Sequence, residues 1–316
     1  MNLILVLLGL ALLTAGGEGL IRGALTAASR LGVSPLVAGL LIVGFGTSAP
    51  EMAISIDAVL NQRAGIAIGN VVGSNIANIL LILGVCALIT PIMVSPKSLL
   101  RDGLAVLVAT VLFMLVAADG DISLLDASLL LLALGIYFFI TYQTEKRISN
   151  PADSVLAAEA QEMSALPASW TSTLVYIIGG LLLLISGSRI LLTGASNIAV
   201  AMGVPDELIG LTLVAIGTSL PELTISVLAA LRRHADVAVG NVLGSNLFNI
   251  LGILGVTGLI DKVPVTTTIL QFDQWVMLAA AVALLVFLGT GMKLSRLEGA
   301  LLLAAYAGYV SFSFLG

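Results

Sequence analysis

The sequence predicts an all-α integral membrane protein whose ten transmembrane helices form two inverted five-helix repeats. Three observations carry that prediction: an extremely apolar composition, apolar runs of membrane-spanning length, and an internal repeat with an odd number of runs in each half. Of 316 residues, 59% are apolar and 10% charged, with a mean hydropathy of +1.15, which leaves no room for a soluble catalytic domain. At about 20 residues per span, the length suits roughly ten helices with short connections. The runs are continuously apolar over helical lengths, so a β-barrel with alternating strands is excluded.

Taken in order, polar or Gly/Pro breaks delimit spans near 2–29, 35–60, 64–90, 101–118 and 122–142. The first opens on an apolar run with no Lys or Arg ahead of it, so it reads as a span and not a secretory signal. The stretch 143–169, containing Glu145, Lys146, Arg147, Asp153, Glu159 and Glu162, is the one connection long enough to be a linker. Five further spans lie near 171–200, 205–230, 236–260, 272–290 and 294–314. The division is therefore 1–142, a cytoplasmic linker at 143–169, and 170–316.

The two halves repeat at an offset of 171 residues. GFGTSAPE at 44–51 meets AIGTSLPE at 215–222, and the segment opening at 68–79 meets 239–250, with 13 identities in the 18 positions from 68 and from 239. Five spans per half is an odd number, so the second half enters the membrane with opposite orientation. The basic residues agree. With the N-terminus outside, ten of the 13 fall on inner connections, and Arg63, Arg189 and Lys262 fall outside, as the positive-inside rule requires. Both termini are thus expected outside the cell membrane.

Polar groups in the bilayer are costly and mark function. Thr47, Ser48 and Glu51 share one face of span 2, and Thr218, Ser219 and Glu222 repeat them in span 7. Pro50 and Pro221 remove backbone donors, which predicts free carbonyls at Gly46 and Gly217 and at neighbours such as Gly44 and Ala215. Spans 3 and 8 add Ser74 with Asn78 and Ser245 with Asn249, accompanied by Asn70, Asn75, Asn241 and Asn246. Carboxylate, hydroxyl, amide and carbonyl oxygens suit Na+ and Ca2+, and no His or Cys cluster suggests a transition metal. No Lys or Arg lies in these segments, so a bound cation is the expected compensation for Glu51 and Glu222. Broken helices at matched places of inverted halves are the usual pointer to a secondary transporter's midplane site.

These motifs, GTSAPE with GNVVGSNIANI and GTSLPE with GNVLGSNLFNI, resemble the two α-repeats of the cation/calcium exchanger superfamily, and within it the sodium/calcium exchanger branch. The proton-coupled branch carries a further glutamate in the GN helix, where this chain has Gly-Ser-Asn at 73–75 and 244–246. The resemblance implies Na+ and Ca2+ as substrates. It implies clustered cation sites around Glu51 and Glu222, completed by Thr47, Ser48, Thr218, Ser219, Ser74, Ser245, Asn78, Asn249 and the carbonyls of Gly44 and Ala215. It also implies that spans 1 and 6 slide across a rigid core, and both are glycine-rich. Many relatives have aspartate where this chain has Asn249, which bears on stoichiometry and potassium dependence.

The expectation is an antiporter and not an enzyme, with no cofactor, no nucleic-acid partner, no obligate protein partner, and the lipid bilayer as surroundings. A proton-coupled exchanger and a cation channel are the alternatives. An intramembrane hydrolase is disfavoured, since the sole His234 stands beside Arg232 and Arg233 at a membrane edge and is expected to be solvated. Cys86 has no intrachain partner for a disulfide, and the linker lacks an EF-hand pattern.

Overall fold

A computed structural model describes residues 2–93, 96–148, 169–202, 215–289 and 293–315. Apolar runs with every backbone group satisfied internally fold as helices in lipid, and the described residues are helical almost throughout. The first half runs α1 (Asn2–Leu31), α2 (Pro35–Thr47), α3 (Ala49–Leu60), α4 (Ala64–Ile89), β1 (Ile92–Met93), α5 (Pro96–Val116), β2 (Asp121–Ile122) and α6 (Leu124–Ile148). The second runs α7 (Trp170–Ala201), α8 (Ala215–Thr218), α9 (Leu220–Leu231), α10 (Ala235–Ile260), β3 (Val263–Pro264), α11 (Ile269–Gly289), β4 (Lys293–Leu294) and α12 (Arg296–Leu315). Among the described residues, six helices are individually long and apolar enough to cross a bilayer, and the bent pair α2 and α3 makes a seventh when taken as one span. α6 continues to Ile148, past the predicted end at 142, because Glu145, Lys146 and Arg147 are good helix formers that need no apolar surroundings. Residues 149–168 of the predicted linker and 205–214 of the seventh predicted span lie outside the described residues.

The halves are intertwined. Ile92 pairs with Leu294 and Met93 with Lys293, while Asp121 pairs with Pro264 and Ile122 with Val263. Each of these antiparallel ribbons joins one half to the other. The Lys262 ammonium lies 2.6 Å from an Asp121 carboxylate oxygen, and that hydrogen bond and charge raise the lysine's affinity for its proton. α5 is tied to α6 by Tyr137, whose hydroxyl donates to Asp102 at 3.0 Å, and α11 to α12 by Tyr309, which donates to Asp273 at 3.1 Å. Asp273 stands 171 residues after Asp102, so the repeat extends beyond its conspicuous motifs.

α1 and α7 pack antiparallel along a seam of glycines at heptad spacing: Gly9, Gly16 and Gly23 on one helix, Gly180, Gly187 and Gly194 on the other, again 171 apart. A Cβ on Gly16 would lie 2.8 Å from the Gly180 carbonyl oxygen, and one on Gly180 would lie 2.8 Å from that of Gly16. Small residues permit such approach where lipid gives helices no hydrophobic reason to associate. At the inner-predicted ends, the Arg30 guanidinium sits 5.5 Å from the Trp170 ring centroid, a cation–π contact that joins the same two helices. Gly180→Leu should therefore separate α1 from α7 and lower the melting midpoint in detergent, since backbone atoms occupy the added volume. An unchanged midpoint would count against the seam.

Candidate cation site

The site begins with two broken helices. Pro50 stands in the first turn of α3 and Pro221 in that of α9. Neither proline can donate to the preceding turn, so the chain leaves helical geometry at Ser48 (φ −80°, ψ 4°) and at Ser219 (φ −89°, ψ 6°). α2 and α3 consequently meet at 40°. Each break puts a carboxylate, Glu51 or Glu222, in the first turn of the following helix, where unpaired amides favour negative charge. Both glutamates are 1% exposed.

The facing helices widen at the same level. Asn78 opens a π-helical stretch, Asn78–Leu83, and Asn249 lies in another, Phe248–Ile253. A third, Gly39–Gly44, ends on Gly44. Such widened turns re-aim side chains and are frequent at functional sites. Between α2 and α10 the backbones nearly touch: a Cβ on Gly44 would lie 2.8 Å from the Asn241 carbonyl oxygen and from the Ser245 amide nitrogen.

Hydrogen bonds cross between the halves. The Ser48 hydroxyl donates to Glu222 Oε1 at 3.4 Å, Thr47 to Asn241 Oδ1 at 3.2 Å, and Ser245 to the Gly44 carbonyl at 3.1 Å. The Asn78 amide donates to Asn246 Oδ1 at 2.9 Å. The structure thus brings Gly44, Thr47, Ser48, Glu222 and Ser245 into one network, with Glu51, Asn78 and Asn249 buried at the repeat-equivalent places. Ser74 and Ser219 are each 7% exposed, Thr218 is partly buried, and Ala215 opens α8 at the edge of the described residues. Asn70 and Asn241 serve as matched clamps. Asn70 donates to Ser55 Oγ at 3.1 Å and to the Glu51 carbonyl at 3.4 Å; Asn241 donates to Ser226 Oγ at 2.9 Å and to the Glu222 carbonyl at 3.1 Å.

The expected free carbonyls are corrected at Gly217 and Gly44. Gly217 accepts from the Ser188 hydroxyl of α7 at 2.7 Å, and Gly44 accepts from the Ser48 amide, Thr47 and Ser245 at 3.1–3.2 Å. A buried carbonyl that has lost its helical donor is costly unless another donor reaches it, and hydroxyls supply that here. Of the side-chain oxygens on α3, α4, α9 and α10 named above, Glu51 Oε2, Glu222 Oε2, Asn78 Oδ1 and Asn249 Oδ1 are buried without a partner, together with Asn75 Oδ1. The first four come from four helices, two in each half. Unsatisfied buried acceptors of this kind cost free energy that a hard cation would recover. Among the described residues no three His, Cys, Asp or Glu side chains gather as a metal cluster.

The sequence profile described as "Sodium/calcium exchanger protein" matches residues 1–143 and 172–315. The chain belongs to the sodium/calcium exchanger family. The family's members are transporters and not enzymes. Over 309 residues the chain is 38% identical to the putative antiporter CaxA of Alkalimonas amylolytica, covering 97% of this chain and 96% of that one. It is 36% identical to the sodium/calcium exchanger MaX1 of Methanosarcina acetivorans, covering 98% and 97%. Among solved structures it is similar to the sodium-calcium exchanger NCX_Mj, with TM-score 0.83 and 34% identity over 98% of this chain and 97% of that one, in a form soaked with Na+ and Sr2+.

Two partnered polar residues of α1 and α7 escaped the sequence reading. Ser188 looks like any small polar residue of a packed membrane helix. Glu18 had a clear signal, a lone carboxylate midway along an apolar span. It pairs with Arg22 at 2.9 Å, one turn on, and with Arg232 at the end of α9, at 3.0 Å.

Proposed function

We propose that the chain is a Na+/Ca2+ antiporter working by alternating access, with Glu51 and Glu222 at the centre of one cation site. Ten helical segments cross the membrane as inverted halves, residues 1–142 and 170–316, joined by a cytoplasmic linker at 143–169, with both termini outside a prokaryotic cell membrane. The observation that carries the reading is the set of partnerless buried oxygens on Glu51, Glu222, Asn78 and Asn249. The name of MaX1 and the Na+, Ca2+ and Sr2+ soaks of NCX_Mj support the same ions.

One Ca2+ neutralises both carboxylates, and several Na+ do so in its place. Hydroxyls of Thr47, Ser48, Thr218, Ser219, Ser74 and Ser245, amide oxygens of Asn78 and Asn249, and the carbonyl of Ala215 complete the coordination, joined by the Gly44 carbonyl once the Thr47 and Ser245 hydroxyls turn from it to the ion. Without a cation the two carboxylates are buried and uncompensated, which opposes movement of the empty carrier and prevents uncoupled leak. Occupancy permits α1 and α7 to slide across the other helices, as one body because their glycines hold them together. Asn249 leaves the site with two formal negative charges, those of Glu51 and Glu222.

The test is Ca2+ uptake into proteoliposomes driven by an outward Na+ gradient. Uptake should stop when Na+ is removed from the lumen, and a pH gradient should not replace it. Uptake that continues without counter-ion would identify a channel, and uptake driven by protons a proton-coupled exchanger.

A further inference from the structure

In residue identity the repeat is matched at the cation site, but the packing of α1 and α7 against the broken helices is not. α1 lies along α9, whereas among the described residues α7 has no comparable contact with α3. On this side Gly17 faces Leu228: a Cβ there would lie 2.6 Å from Leu228 Cδ1. One residue on, Glu18 pairs with Arg232 at 3.0 Å. In an antiporter of two inverted halves, the other access state is reached when the halves exchange conformations, so each contact between α1 and α9 reappears 171 residues away between α7 and α3. Gly17 against Leu228 then becomes Ser188 against Asp57. Glu18 against Arg232 becomes Arg189 against Asn61.

The charges at those positions are reversed yet complementary. Arg189 takes the place of Glu18, and the carboxylate it would meet is Asp57, one turn before Asn61 on α3 and already joined to it, Asn61 Nδ2 lying 3.1 Å from Asp57 Oδ1. We propose that the sliding pair carries two alternating ion-pair latches, Glu18 with Arg232 in the state seen here and Arg189 with Asp57 in the opposite one. The inference rests on the antiporter reading above. The Ser188 bond to the Gly217 carbonyl breaks in the same movement and has no equivalent, because Gly17 stands where a second hydroxyl would be needed. Two latches at opposite ends of the travel favour both end states over intermediate positions, which suits a carrier that must not stop half open. Each bond is worth little: Glu18 and Arg232 side chains are 27% and 60% exposed, so each latch should change the ratio of states by roughly two- to fivefold.

The experiment uses the full chain in nanodiscs, in a Cys86→Ala background, with spin labels at Val175 on α7 and Phe139 on α6, which are 63% and 64% exposed. Pulsed dipolar spectroscopy then reads the two access states as two distances. Arg232→Gln should move the population away from the state described here, and Asp57→Asn toward it. Arg22 remains to hold Glu18 in the first variant, and in the second the introduced amide keeps an acceptor oxygen for Asn61, so both should fold. Glu18→Arg combined with Arg232→Glu should restore the original ratio. Two distances whose ratio ignores both variants, or moves the same way in both, overturn the latches and leave the antiporter reading standing. A single distance under every Na+ and Ca2+ condition overturns alternating access, and the latches with it.

Discussion

Replacing either Glu51 or Glu222 with glutamine should reduce Na+-driven Ca2+ uptake by about 3–5 kcal/mol in effective binding, on the order of a thousandfold. Glutamine keeps the volume and one acceptor but deletes a charge, so the remaining carboxylate cannot neutralise a divalent ion with its partner gone. Stability should move the opposite way. The ion-free protein ought to melt at a higher temperature in the variants, because the substitution removes a buried carboxylate whose second oxygen has no partner. Added Ca2+ should stabilise the wild type by mass action and leave the double variant unmoved. Radiolabelled Ca2+ uptake and melting with and without Ca2+ measure both effects. Wild-type uptake by the double variant would remove both glutamates from the mechanism.

Gly44→Ala should be nearly as damaging, for a reason that has no charge in it. The new methyl would lie 2.8 Å from two backbone atoms of α10, the Asn241 carbonyl oxygen and the Ser245 amide nitrogen. Neither can rotate away, so α2 and α10 must part, at a cost of about 1–3 kcal/mol. Parting them also stretches the bonds from Ser245 to Gly44 and from Thr47 to Asn241, which hold the two halves of the site in register. Both the melting midpoint and Ca2+ uptake should fall. Gly135→Ala is the control: it faces open space on α6 and should be neutral or slightly stabilising through helix propensity. Equal behaviour of the two variants would mean that the close crossing does not shape the site.

Much of the architecture was legible because lipid leaves few options. Uninterrupted apolar runs read as helices, and Glu51 and Glu222 were conspicuous where carboxylates are expensive. The prolines also announced the breaks. What the sequence did not reveal was where the polar atoms find partners. Gly217 is capped by Ser188 and Gly44 by Ser245, residues that come from other spans and become neighbours only when the helices cross. The π-helical turns at Asn78 and Asn249 left no periodic trace either, since one widened turn shifts the phase by a single residue. Glu18 was readable as an isolated charge, but its partner Arg232 lies in the other half.

The two small ribbons have a consequence for biosynthesis. β1 waits for β4, which emerges about two hundred residues later in the chain, and β2 waits for β3. At roughly 5–20 residues per second of translation, the helices of the first half wait on the order of ten to forty seconds with Ile92 and Met93 unpaired. An amino-terminal half released early cannot close on itself, so truncated chains should be substrates for membrane quality control and not half-sized carriers.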